Sequence, residues 1–566
     1  MRSLHRALAV IATLTLFFAC GGSEQTQAPK ASAKSAPKHQ LHEVAAGTCD
    51  NLTPPSDAQF PPGFDYPQTA KMMSAWVGTR QGARQRRHAY CVFAGLNQTS
   101  GSAGMPVWRT WQTAWKAFPW EYNWPQNGAT GGATSRPVTI NQARSRASHT
   151  AGVILNPIPL YPVRDAVIAK YPQCKTALIG NDGKPIPHKW ALIDGQAFQN
   201  NGDIMIAAVS YNNAAITNIQ NRQLNDAAVL TTKLPSSTTG PSTSIDPMPQ
   251  SSIVLKVMLW PVAGGGTGTA YTALPVWDWD NNKPGSSSDN QYAGYEIQKF
   301  WKRAVAISSG AASGTQQVRF LWGILDPSGF PLPYNTYDAA PVVGLNRFYS
   351  KTYTDNDLAT LSACDRAILD ASAYWTYNRE FKSGDSLVLV AMHMMTKEQS
   401  TWTFQSAWWH PDAQTCPNNF RFCSGRPLSV PGGDTTWQNY MMSTTYGMIQ
   451  KTNDPNQHPN ISVPSKTHHP PVVWPVAYNP YIELAASHPI TTNCMNCHHR
   501  AAWPPDTKSK PVDSYPQSAY LQSSPANPNP LEVFQTTNPI FSGQVTVDSM
   551  WAVSDRAGYV PGGAKK

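Results

Sequence analysis

Proline and glycine punctuate this chain throughout. There are 49 prolines and 38 glycines among 566 residues. Proline removes a backbone donor and clashes inside a helix, and glycine carries the largest backbone entropy cost. Between them lie short apolar runs, most with the β-branched and aromatic character of buried strands. The clearest are Asp203–Tyr211 (DIMIAAVSY), Ser251–Val262 (SSIVLKVMLWPV), Gln317–Leu325 (QVRFLWGIL) and Ser386–Lys397 (SLVLVAMHMMTK). Thr401–His410 (TWTFQSAWWH) reads as the hairpin partner of the last, with Trp402, Phe404, Ser406, Trp408 and His410 on one face. Helical spacing is expected over Pro106–Phe118 and Asn290–Ile307. Turn-rich stretches over 210–250 and 410–490 read as loops. The pattern predicts an α+β fold with a predominantly β core and long Pro/Gly-rich loops, not a doubly wound sheet. No GxGxxG, GxxxxGK or GxSxG element occurs, which excludes the nucleotide and serine-hydrolase readings those motifs carry.

The N-terminus predicts a compartment. Met1–Ala19 (MRSLHRALAVIATLTLFFA) begins with Arg2 and Arg6 and continues with an apolar run, the layout of an export signal. That run is short for a bilayer span. Cys20, followed by Gly21 and Gly22, stands where a bacterial lipoprotein is cleaved and acylated, although Phe17 and Phe18 replace the small residues usual there. From Gly21 to about residue 46 the chain is rich in Ser, Ala, Lys, Gln and Pro, and too poor in apolar groups to fold. We therefore expect a signal peptide over 1–19, a lipidated flexible tether over 20–47, a β-rich body over 48–470 and a C-terminal segment over 471–566 that is integrated with the body. With no aspartate after Cys20, the expected membrane is the outer one. The net charge of +10 is modest; its densest cluster, Thr79–His88, holds four arginines. It reads as a solvated basic face, or as a surface for an acidic partner or lipid headgroups. Nucleic acid is not expected outside the cytoplasm.

Nine cysteines remain to be placed. Setting aside Cys20 and the Cys494/Cys497 pair leaves six, an even number that fits three disulfides in an exported protein. Cys416 and Cys423, in TCPNNFRFC, are the best local pair. Cys49, Cys91, Cys174 and Cys364 allow three pairings between which sequence does not choose.

Thr492–Arg500 (TNCMNCHHR) contains CxxCH. A structural zinc site needs four ligands, and no second CxxC or HxxxH is present. A thioredoxin-like pair needs a βαβ context, whereas the flanks here are proline-rich. Haem c needs what is present: two thiols spaced to add across two vinyl groups, and an adjacent imidazole to reach the iron. One covalently attached haem c is expected, on Cys494 and Cys497, with His498 as proximal ligand, making 471–566 a haem c segment. The sixth ligand decides the chemistry, because a filled position favours electron transfer and an open one favours small-ligand chemistry. Candidates are His393 within the apolar strand, His488, the His468/His469 pair, and Met550 beside Trp551. His499 is too close to His498 to reach the opposite face.

Four stretches occur in order: AYCVFAGLNQTSGSAGMPVWRTWQTAWKAF, SSIVLKVMLWPV, LVLVAMHMMTKEQSTWTFQSAWWH and NCMNCHHRAAWP. From about Ala89 to Trp551 the chain resembles a family of large bacterial exported c-type cytochromes with a single C-terminal CxxCH. In that family the strand with the MH…K pattern and the aromatic strand after it accompany the haem motif. The resemblance implies a c-type cytochrome and draws attention to His393, Lys397 and His410 without assigning them roles. Three functions follow as expectations. The first is a membrane-anchored monohaem cytochrome passing single electrons to a periplasmic redox partner. The second is a haem-dependent oxidoreductase of peroxidase or oxygenase type, with His393 or Lys397 as acid or base over an open iron. The third is an anchored binding or assembly protein with a structural haem.

Overall fold

The run Ser386–Thr396 is apolar at nearly every position because both its faces are covered, and burial of each such side chain contributes roughly 1.5–3 kcal/mol. It lies inside the main sheet of the chain, seen in a computed structural model. The structure describes residues 49, 70–78, 82–100, 105–119, 161–179, 185–200, 204–237, 240–265, 271–278, 301–310, 312–321, 334–400, 402–415, 421–423, 425–446, 449–450, 479–482, 498, 501–504, 532–533 and 541–558. Contacts divide the chain into two units, Met1–Glu43 and Val44–Lys566. All described residues, those of the C-terminal segment included, belong to the second.

The elements that matter here, in chain order, begin with α1 (Gly82–Asn97), β1 (Gln112–Thr113), β2 (Gln199–Asn200), β3 (Ile206–Tyr211) and α2 (Asn213–Asn221). Next come β4 (Thr243–Ser244), β5 (Ile253–Val262), β6 (Thr272–Val276), β7 (Arg303–Ser308), β8 (Thr315–Leu321), β9 (Tyr334–Gly344) and β10 (Ser350–Thr352). The last are α3 (Ala363–Tyr377), β11 (Ser386–Thr396), β12 (Thr403–Trp409), β13 (Tyr440–Thr445), β14 (Ala502–Trp503), β15 (Val545–Thr546) and α4 (Trp551–Arg556).

The main sheet has eight strands in the order β13-β12-β11-β5-β3-β1, with β10 paired to β11 and β2 to β3. Every one of these pairings is antiparallel. The expected hairpin of β11 with β12 is present. A second sheet, β6-β7-β9-β8, contains a parallel β7/β9 pair. A small third sheet, β14-β15-β4, ties the C-terminal segment to the body: β15 lies antiparallel to β14 and parallel to β4. The fold is α+β with a predominantly β core.

Two helix expectations need correction. Arg303–Ser308 is strand β7, buried at all but its first position and pinned between β6 and β9; residues 290–300 lie outside the described residues. Within 106–118 only Ala114–Ala117 is α-helical, after a short 3-10 turn and two-residue strands. Conversely, α1 and α3 form where no helix was expected. α3 carries an N-terminal signal: Ser362 and Asp365 form a capping box, each accepting from the other's backbone N–H. In α1, tertiary burial of Ala89–Asn97 outweighs the modest propensity of His, Tyr, Cys and Val.

The cysteine ambiguity is resolved by tertiary proximity. Cys49 bonds Cys91 and Cys174 bonds Cys364. Cys423 is also disulfide-bonded, while its expected partner Cys416 lies outside the described residues. No described helix is long and apolar enough to cross a membrane. Cys20 and the tether likewise lie outside the described residues.

Candidate functional site

Register partners in a sheet project from the same face. Following the pairings across β3, β5, β11, β12 and β13 gives one row: Val209, Lys256, His393, Ser406 and Ser443. It runs between two apolar rows. On one side stand Ala207, Met258, Ala391, Trp408 and Met441, and on the other Tyr211, Val254, Met395, Phe404 and Thr445. Both flanking rows are buried throughout. The polar row is not. Val209, Lys256 and His393 are each the one position of their strand that is only partly buried. Three adjacent strands thus open to the same strip of the sheet face.

His498 stands over this strip. Its ring lies against Phe404, with centroids 5.3 Å apart, in the apolar row next to His393. Its backbone carbonyl accepts from the Ala501 N–H at 3.2 Å, at the entry to β14. Its Nδ1 is 2.8 Å from the Ser549 carbonyl oxygen. A carbonyl can only accept, so Nδ1 carries the proton and Nε2 keeps the lone pair. Burial pushes the His498 pKa down to about 4, opposed by the Ser549 hydrogen bond and aided by the charge of Lys256. His498 is therefore a neutral imidazole at neutral pH, with its tautomer set and Nε2 as donor atom, the form in which histidine binds metals. His393 titrates well below its ordinary value, first because of burial and then because of the charges of Lys256 and His498. The two imidazoles are thus electrostatic neighbours, and both are neutral.

The Ser549 carbonyl is itself held from several directions. Asp548 and Ser549 are consecutive non-glycine residues with φ of 48° and 63°, a left-handed conformation that costs roughly 1 kcal/mol or more per residue and needs support. Lys397 Nζ donates to Asp548 Oδ1 at 2.7 Å, the Met248 N–H to Oδ2 at 2.8 Å, and Trp402 Nε1 to the Asp548 carbonyl at 2.8 Å. Lys397 also donates to the Ser400 carbonyl and lies over the Trp402 ring, 5.3 Å from its centroid. Its side chain is 3 % exposed and that of Asp548 15 %. Burial presses Lys397 and Asp548 toward their neutral forms, and the ion pair opposes it in both. This is a different place from the acid or base over an open iron expected of Lys397: it lies beyond the end of β11 and braces the chain behind the His498 ring.

Met550 is buried, immediately after Ser549. The Ser549 carbonyl that precedes it meets Nδ1 of His498 and leaves Nε2 without that contact. His410 lies elsewhere. Its Nε2 donates to Asp278 at 3.2 Å and its Nδ1 accepts from the Asp412 N–H at 3.1 Å. The ligand atoms of Asp278, His410 and Asp412 lie within 4.8 Å of one another, a spacing that suits a metal. Arg303 instead bridges the carboxylates, through Nε and Nη2 to Asp278 at 2.7 and 2.5 Å and through Nη2 to Asp412 at 2.7 Å. The cluster's positive charge is already supplied by a guanidinium.

Cys494, Cys497, His499, His488, His468 and His469 lie outside the described residues. Two participants escaped the sequence reading. Lys256 is the single charged residue in the apolar run Ile253–Val262, and that isolation was a usable signal. The Asp548–Ser549 brace left none, because it depends on backbone direction. No protein-family model, no curated protein and no solved structure matches this chain.

The donor set fits a haem iron. A neutral imidazole with its acceptor nitrogen defined follows the two thiols in the chain, and a second imidazole stands in a partly open strip between apolar rows.

Proposed function

We propose that the chain is a membrane-anchored, periplasm-facing monohaem c-type cytochrome that passes single electrons to a redox partner. Cys494 and Cys497 would carry the haem, His498 would bind the iron through Nε2, and His393 would offer the second imidazole. The observation that carries this reading is the cross-sheet row: the positions where the three central strands open coincide at Val209, Lys256 and His393, beside the ring of His498. The resemblance to exported single-haem cytochromes and the lipoprotein-like start at Cys20 support the placement in the cell.

A haem bound here supplies a one-electron iron couple, tuned by axial ligands, burial and hydrogen bonds. The chain's own residues contribute rigidity. His393 sits on an inner strand of the main sheet, bonded on both sides, and His498 is held at its carbonyl and at Nδ1. Ligands that do not move between oxidation states keep reorganisation small. Lys256 places a cation beside both imidazoles, which disfavours their protonation and keeps the nitrogens available for metal.

A second reading has an observation of its own. The strip at His393 and Lys256 is partly open, which suits an acid or base above an iron with a free face, as in a peroxidase or oxygenase. Optical and EPR spectra of the haem-loaded chain, oxidised and reduced, with and without CO, separate the two. A low-spin iron that ignores CO is expected for two imidazole ligands. A high-spin iron that binds CO would displace His393 from the iron and put the oxidoreductase reading first.

A further inference from the structure

We propose that Lys397, Trp402 and Asp548 form a clamp that positions the Ser549 carbonyl on Nδ1 of His498 and so sets the electron richness of that imidazole. The proposal rests on the haem reading above and assigns these three as positioning residues, not as groups that touch the iron.

The geometry is specific. All three acceptor atoms of Asp548 are engaged by the body of the chain: Oδ1 by Lys397, Oδ2 by the Met248 N–H and the backbone carbonyl by Trp402 Nε1. Lys397 and Trp402 come from the turn between β11 and β12, and Met248 from the approach to β5. The Met550 N–H donates to the Val547 carbonyl at 2.9 Å, which closes the tight turn containing Asp548 and Ser549. Two successive left-handed residues would relax without such ties, and the carbonyl of the second would swing away from the ring. Trp402 is itself left-handed, with φ of 62°, and fully buried, so its indole N–H is aimed and not free to search.

The chemical consequence follows from the hydrogen bond. Donation from Nδ1–H to a carbonyl shifts electron density toward Nε2 and makes it a stronger donor. A stronger donor favours ferric over ferrous iron and lowers the potential. Weakening the clamp therefore raises it.

The test uses the full chain with its haem attached, as wild type, D548N, K397M, K397R and W402F. Asparagine tolerates left-handed backbone, so D548N removes the charge while leaving the turn accessible. A pyridine haemochrome assay establishes loading, far-UV circular dichroism establishes folding, and spectroelectrochemistry with ferric EPR gives the readout. D548N and K397M are expected to raise the midpoint potential by about tenfold in the Fe(III)/Fe(II) equilibrium, or about 59 mV for a one-electron couple, with altered EPR g-values. W402F is expected to do the same to a smaller extent, and K397R to return the potential toward wild type. If K397M does not fold, D548N and W402F decide. Loaded, folded D548N and W402F with unchanged potential and g-values would overturn the clamp while leaving the haem reading intact. A wild-type chain with no haemochrome would overturn both.

Discussion

The surroundings of His410 and of His393 solve the problem of burying a histidine near charged groups in opposite ways. Around His410 the charges balance one another. Asp278 accepts from the imidazole and from Nε and Nη2 of Arg303, and Asp412 accepts from the same Nη2. Burial opposes ionisation of Asp278, but the hydrogen bonds from His410 and Arg303 outweigh it and hold the carboxyl down to about 2. Around His393 burial, and after it the cation of Lys256, press the imidazole toward neutrality. The first arrangement is self-sufficient and reads as structure. The second leaves two neutral imidazoles adjacent to each other, which is what a metal asks of its ligands. Spacing alone points to the His410 cluster, whose ligand atoms lie within 4.8 Å of one another; the charge of Arg303 between its carboxylates argues against a cation there.

That contrast can be broken experimentally. The largest effect is expected from replacing Cys494 and Cys497 by serine: covalent haem should disappear entirely from a haem-stained denaturing gel, while H410A should retain it. Next is H393A. Removal of the second imidazole is expected to turn a low-spin, CO-indifferent spectrum into a high-spin, CO-binding one, with H410A leaving the spectrum as in wild type. If H410A changed the spin state and H393A did not, the assignment of the two places would be reversed.

The remaining effects concern stability and belong to the His410 side. R303M removes charge-assisted hydrogen bonds and leaves two carboxylates facing each other. A loss of about 2 kcal/mol in urea unfolding is expected, tempered because Arg303, Asp278 and Asp412 are each partly solvent-exposed. The smallest effect is on pH. The Asp278 carboxyl is depressed from 3.8 to about 2, so its contribution is present above its unfolded value and lost as pH falls through that window. Urea midpoints measured between pH 5 and pH 2, on the order of the shift just described, should fall less steeply in D278N than in wild type. An identical slope would mean that Asp278 does not report on folding.

Much of the main sheet was legible. β5, β11 and β12 are long runs of β-branched and aromatic residues buried on both faces, which leaves little else for them to be. Arg303–Ser308 was misread because small residues such as Ala304 and Ala306 fit either period, and only pairing with β6 and β9 chose strand. Lys397 was noticed for its place after His393, but its partner Asp548 is 151 residues away in the chain and could not be read from spacing.

What the sequence determined by itself about this protein is local chemistry: two thiols and an imidazole at CxxCH spacing, and apolar runs that form strands. These follow from covalent geometry and short-range propensity, which act within a few residues. The tertiary structure decided the rest, because register, cross-strand alignment and chain reversal are set by contacts between distant segments. It paired Cys49 with Cys91 and Cys174 with Cys364, out of three possible arrangements. It aligned Val209, Lys256 and His393 in one row, placed the ring of His498 beside it, and turned two left-handed residues so that a single carbonyl determines which nitrogen of that ring keeps its lone pair.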